Sequence, residues 1–146
     1  MNLKVERTYP LYLALISSAL WYWFHPKFPS DEKEFLAAAL SLGAILTGFI
    51  ATAKAILAAM PDETVMGRLR KSGYIQDLIT YLAQALYGCL TFSVLCLVGF
   101  FLRDEKAAAP LPLWFATTWI FLGVFSMLSF HRVSRLLFKI LKRESA

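Results

Sequence analysis

Apolar residues run along this chain in four long blocks, and the polar residues inside them recur at helical intervals. The clearest block is residues 78–102, 25 consecutive positions without a charge, where Thr80, Gln84, Tyr87 and Thr91 follow one another at steps of four, three and four. That spacing puts them on one stripe of an α-helix. A helix of this length covers about 37 Å at about 1.5 Å per residue, enough to cross a hydrocarbon layer of about 30 Å. With a short lead-in the third helix becomes 76–102, and the other blocks predict helices over 9–24, 35–60 and 111–130. The pattern is that of an all-α polytopic membrane protein, a single domain over 1–146 with four transmembrane helices.

The boundaries follow from local chemistry. The first block closes on Trp21, Tyr22, Trp23 and Phe24 and lacks the small residues of a cleavage site, so it reads as a retained span and not a secretory signal. Ser30 is a candidate N-cap for the second helix, with Asp31, Glu32 and Glu34 suited to its positive end. Pro61 ends that helix, and Gly73 re-aims the chain into the third.

Two stripes are candidate functional surfaces. On the third helix, Asp77, Thr80, Gln84, Tyr87, Thr91, Leu95 and Val98 share one face. As a pore lining, Asp77 would stand at the mouth, Gln84 would form the main polar ring, and Leu95 and Val98 would make a constriction that gates by dewetting. As plain packing, Thr and Gln would bond to other helices, Tyr87 would fill the bundle and Asp77 would cap the helix start. On the second helix, Ala37, Ser41, Ala44, Gly48, Thr52 and Ala55 fall at steps of four, three, four, four and three. Small residues let backbones approach closely. Spacing leaves three partners open for them: a helix of the same subunit, another subunit, or a narrow pore.

Composition agrees with a membrane domain: 58% of residues are hydrophobic and 17% charged, and the longest polar stretch runs only from Lys54 to Asp77. No room remains for a cytosolic catalytic domain. The formal net charge of +5 matters less than where the bases lie. With both termini inside, eleven of the 15 Lys and Arg face the cytoplasm and four face outward, which predicts an N-in/C-in topology. Trp21, Trp23, Trp114 and Trp119 then all lie toward the outer interface, where indole rings are favoured.

Beyond the fourth block, residues 131–143 form an amphipathic basic tail. Arg132, Arg135, Lys139, Lys142 and Arg143 share one face, with Val133, Leu136, Leu137, Ile140 and Leu141 on the others. Together with Arg68, Arg70 and Lys71 in the inner linker they are candidate contacts for membrane lipids or a cytoplasmic protein, each base contributing about 1 kcal/mol near an anionic leaflet. Direct nucleic-acid binding is not favoured.

Catalytic chemistry is not indicated. Cys89 and Cys96 stand seven residues apart on one helix, about 10 Å along its axis, too far to bridge. They read as packing residues. His25 and His131 are predicted on opposite sides of the membrane and cannot share a metal. No phosphate-binding Gly loop is present, no Ser or Cys nucleophile has a base nearby in sequence, and no cofactor is implied. No ionisable residue is expected near the middle of a span, which weighs against proton-coupled export.

The long small-residue span 35–60, the linker Arg68, Leu69, Arg70, Lys71, Ser72, Gly73, Tyr74, the third span with its mid-membrane cysteine, and the short charged tail together resemble the small four-span membrane component of the Rex phage-exclusion system. The resemblance covers about 100 residues. It implies a bacterial inner-membrane ion channel that depolarises the membrane when a separate cytoplasmic sensor protein detects infection. The first span and both outer loops do not match, so no individual functional residue is carried over.

The leading expectation is therefore a homo-oligomer forming a gated pore or a membrane-disrupting effector in antiphage defence. A non-conducting anchor or adaptor that recruits a cytoplasmic partner through its basic tail and inner loop is the alternative, followed by a holin-like permeabiliser.

Overall fold

In the computed structural model the described elements are four α-helices: α1 (Leu3–Phe24), α2 (Glu32–Ala59), α3 (Tyr74–Leu102) and α4 (Leu113–Glu144). The structure describes residues 3–24, 26, 31–59, 74–102 and 111–144. Ser30, His25, Pro61, Gly73 and the linker bases Arg68, Arg70 and Lys71, all singled out above, lie outside the described residues.

Helix starts follow local chemistry. Glu32 and Glu34 occupy the first turn of α2 and Asp77 that of α3, where a carboxylate meets the positive end of the helix dipole. The Phe35 amide donates to the Asp31 carbonyl at 3.0 Å, so the first turn of α2 closes on Asp31. At the head of α4, the amides of Phe115 and Ala116 both donate to the Pro112 carbonyl, at 2.9 and 3.2 Å.

Three helices are long and apolar enough to cross a membrane: Glu32–Ala59, Ile75–Leu102 and Leu113–Lys139. These point to a membrane protein. The predicted first span is a helix too, but it is not among the three. Lys4, Glu6 and Arg7 occupy its opening turns, and its apolar part of 16 residues covers only about 24 Å. The fourth helix continues beyond Phe130 as expected, unbroken for 32 residues, and its apolar stretch extends further than the expected 111–130, to Lys139.

Neighbours pack antiparallel in the order α1, α4, α3, α2. Tyr9 Oη and Ser18 Oγ on α1 donate to the carbonyls of Leu128 and Thr117 on α4, both at 3.3 Å. The α3–α4 register is set near the centre of α3, where a Cβ added to Gly88 would sit 3.2 Å from the Phe125 ring and 3.4 Å from Ser126 Oγ. The α2–α3 register is fixed at Gly43, whose missing side chain leaves space taken by Ser93 Oγ.

Because α3 lies between α2 and α4, both apolar clusters are built on it. One gathers Ile50, Leu57, Leu78, Tyr81, Leu82, Ala85, Cys89 and Val133. The other gathers Leu36, Ala39, Phe92, Cys96, Leu111, Phe115 and Trp119. Trp21 and Trp23 at the end of α1 and Trp114 at the start of α4 share one end of the row, as expected. Trp119 does not belong with them. It is buried, and its Nε1 donates to Cys96 Sγ at 3.3 Å. An indole one turn further along α4 has entered the core, where the thiol accepts its N–H.

Candidate functional site

The centre of polar chemistry in the bundle is Arg132. Expected on the basic face of the tail, it is instead buried, with 3% of its surface exposed. Its Nη2 donates to Gln84 Oε1 at 2.8 Å, and its guanidinium carbon stands 4.1 Å from the centroid of the Tyr81 ring. The cause is helical register. Ser126, Ser129 and Val133 form the buried stripe of α4, and Arg132 falls beside it. Side chains on a helix lean toward its N-terminus, so the guanidinium is carried toward the centre of the bundle and onto Gln84. The amide oxygen and the ring face are among the groups that offset the desolvation of the guanidinium.

This corrects one expectation: Arg132 is not a surface contact for lipid or partner. Gln84 is four residues, about 6 Å along the axis, from Gly88 at the midpoint of α3. Leu136 and Leu137 pack against the cluster that holds Ile50 and Val133, so the buried face of α4 does not stop at Phe130.

The predicted stripe of α3 divides around this contact. Gln84 turns toward α4, whereas Tyr87 is 65% exposed and Thr91 is exposed. Thr80 Oγ1 donates to the Gln76 carbonyl and Thr91 Oγ1 to the Tyr87 carbonyl, at 2.8 and 2.7 Å, so both hydroxyls are satisfied within their own helix. Leu95 is partly buried against the cluster around Phe92 and Trp119, Val98 is exposed, and Asp77 is exposed at the helix start. Thr80, Gln84, Tyr87 and Thr91 line an open groove of about 540 Å³ with Ile79, Ala83, Gly88, Leu122 and Phe125. Asp77, Leu95 and Val98 are not part of it.

On α2 the small-residue stripe faces away from the bundle. Ala37, Ser41, Ala44, Gly48, Thr52 and Ala55 are all exposed, and nothing lies within 4 Å of the space a Gly48 side chain would occupy. The face that meets α3 carries Leu36, Ala39, Gly43, Ile50 and Leu57. Packing within one subunit is therefore not what the stripe does. Ser41 and Thr52 donate to the carbonyls of Ala37 and Gly48, each at 2.9 Å, so the stripe needs no polar partner.

A second concavity, of about 470 Å³, lies between α2 and α4 with Cys89 and Phe92 of α3 also lining it. The pairs Phe35–Trp119 and Phe49–Phe130, with ring centroids 5.3 and 5.5 Å apart, bridge α2 and α4. Its walls are apolar and it gathers no catalytic groups.

Of the remaining tail residues, Arg135, Lys139 and Lys142 are exposed, and the side chain of Arg143 lies outside the described part. Among the described residues no three His, Cys, Asp or Glu side chains gather to hold a metal. No family model, no curated protein and no solved structure matches the chain.

Proposed function

We propose that this chain is a multi-pass inner-membrane protein, with both termini in the cytoplasm, that assembles with copies of itself into a gated pore or membrane-breaching effector. In this reading α1 is a short fourth span flanking α4.

The observation that carries the proposal is Tyr87. It stands next to the midpoint of α3 with its side chain 65% exposed, and its hydroxyl makes no hydrogen bond among the described residues. Tyrosine hydroxyls favour the membrane interface, and an unsatisfied hydroxyl in hydrocarbon costs on the order of several kcal/mol. Assembly relieves that cost if the groove beside Tyr87 faces a shared, water-filled axis. The uncovered small-residue face of α2 supplies a surface on which helices of neighbouring subunits can approach closely.

The attribution to phage exclusion comes from the resemblance carried by the span 35–60, the linker from Arg68 to Tyr74, the third span with its cysteine and the short charged tail. A second reading, an adaptor for a cytoplasmic partner, is favoured by the exposure of Arg135, Lys139 and Lys142 on one tail.

The test is reconstitution of the purified protein in a planar bilayer, with its oligomeric mass measured in the same detergent. Conductance that disappears in Thr91→Leu while the oligomer persists supports the pore. Unchanged ion flux in that variant removes the groove as its lining, and a silent monomer favours the adaptor.

A further inference from the structure

Two exposed helix faces of the bundle are opposite in shape. On α3 successive residues turn by about 100°, so Tyr87 falls between the stripe of Thr80, Gln84 and Thr91 and a second stripe of Ala83, Leu90 and Val94. Leu90 and Val94 are exposed, and the Tyr87 ring projects beside them. On α2 the exposed face holds Ser41, Ala44, Gly48 and Thr52, none larger than threonine, and the space beside Gly48 is empty. The hydroxyls of Ser41 and Thr52 are already bonded within their helix. One face offers a knob and the other a hole.

Their depths match. A Cβ on Gly99 would lie 2.9 Å from the Leu36 side chain, which puts Leu36 of α2 level with Gly99 of the antiparallel α3. Gly48 is twelve residues along α2 from Leu36, and Tyr87 is twelve residues back along α3 from Gly99, so the two stand at one level. The same count sets Gly43 level with Phe92, whose ring a Cβ on Gly43 would meet at 3.4 Å. One turn to either side of Gly48, Ala44 comes level with Thr91 and Thr52 with Ala83. Within one subunit the two faces do not meet, because α2 turns Leu36, Ala39, Gly43 and Ile50 to α3 and the small residues away from it. Copies related by an axis along the membrane normal share their depths, so the α2 of a neighbour brings its Gly48 to the level of Tyr87.

We infer that the Tyr87 face of α3 is the docking surface for the small-residue face of α2 in a second copy, with the Tyr87 ring seated over Gly48 and Leu90 between Ala44 and Gly48. Small residues let the two backbones approach closely. The contact joins two different surfaces, so it is heterologous and either closes into a ring or continues as an open row of subunits. Thr80, Gln84 and Thr91 lie on the other side of Tyr87 and stay clear of it, which leaves the hydroxyl of Tyr87 at the border between the contact and the axis. The inference rests on the assembly proposed above, names its contact and does not depend on conduction.

The test is cross-linking in the membrane. Differently tagged copies carrying Gly48→Cys and Tyr87→Cys are co-expressed and oxidised with copper phenanthroline, which joins cysteines whose α-carbons come within about 7 Å. A disulfide-linked dimer bearing both tags is expected from the mixture and not from either variant alone, where the buried Cys89 and Cys96 are the background. Ala44→Cys with Leu90→Cys, one turn along, keeps both Gly48 and Tyr87 and should link as well. Gly48→Cys with Val98→Cys, displaced by eleven residues or about 16 Å, should not. Failure of both expected pairs to link in protein whose mass shows assembly overturns the inference, as does Gly48→Cys linking to itself or to Val98→Cys as readily as to Tyr87→Cys. A monomeric wild type overturns the assembly and the inference together. A silent bilayer with the expected links intact removes the pore and leaves the inference standing.

Discussion

The guanidinium of Arg132 reaches inward to Gln84, one helical turn closer to the midpoint of α3 than the Tyr81 ring it also covers. Long basic side chains near helix ends ordinarily extend toward water. Here the opposite direction is taken, and a polar contact between α3 and α4 is formed inside the apolar layer.

Removing the acceptor while keeping the charge should be costly. Gln84→Leu takes from Arg132 a hydrogen bond of the charged kind and is expected to destabilise the bundle by about 2–3 kcal/mol. Gln84→Glu should match or exceed wild type, and Gln84→Leu combined with Arg132→Met should recover most of the loss, since a buried polar pair can be exchanged for apolar residues of similar volume. Loss of helicity on titration with a denaturing detergent measures all three. Equal stability of Gln84→Leu and wild type would show that the contact contributes nothing.

Gly43 and Gly48 sit on one helix and should respond in opposite ways. Gly43 faces Ser93 and Phe92, so Gly43→Leu should drive α2 off α3 and destabilise the fold by at least about 1–3 kcal/mol through overpacking. Gly48 faces open space, so Gly48→Leu should leave the fold intact and, in the assembly proposed above, lower the oligomeric mass. Mass measurement in mild detergent together with helicity separates the two outcomes. An unchanged oligomer in Gly48→Leu would move the subunit contact to another face.

Cys89 and Cys96 are free and fully buried at the junction of α2, α3 and α4. In the folded protein both should resist a membrane-permeant maleimide, and labelling should appear only as α2 or α4 separates from α3. Mass spectrometry after timed labelling, in wild type and in Gly43→Leu, reads that opening. Fast labelling of the wild type would contradict the packing around Phe92 and Trp119.

The four helices were legible because long apolar runs and Pro or acidic boundary residues determine them locally. Which face each helix buries was not. In a bilayer both the lipid-facing and the packed positions are apolar, so periodicity no longer marks the inside. On α2 the stripe from Ala37 to Ala55 and the stripe through Leu36, Ala39, Gly43 and Ile50 are both plausible contacts, and only tertiary register chooses the second. Arg132 was misplaced for a related reason. A charge after a long apolar run reads as the end of a span, and nothing local reveals that Tyr81 and Gln84 stand opposite. The groove residues Thr80, Gln84, Tyr87 and Thr91 were found because polar side chains at helical spacing are conspicuous against an apolar background. Leu95 and Val98 had no such contrast, and the groove does not include them.

The Arg132 contact also bears on how the chain is made. Helices enter the membrane in the order they are synthesised, so α3, with Tyr81 and Gln84, is in place before α4 delivers the charge. A nascent α4 therefore meets its acceptor on arrival and need not hold a bare guanidinium in lipid. Reordering the gene so that α4 precedes α3 would remove that waiting partner, turning a contact that assists assembly into an obstacle to insertion.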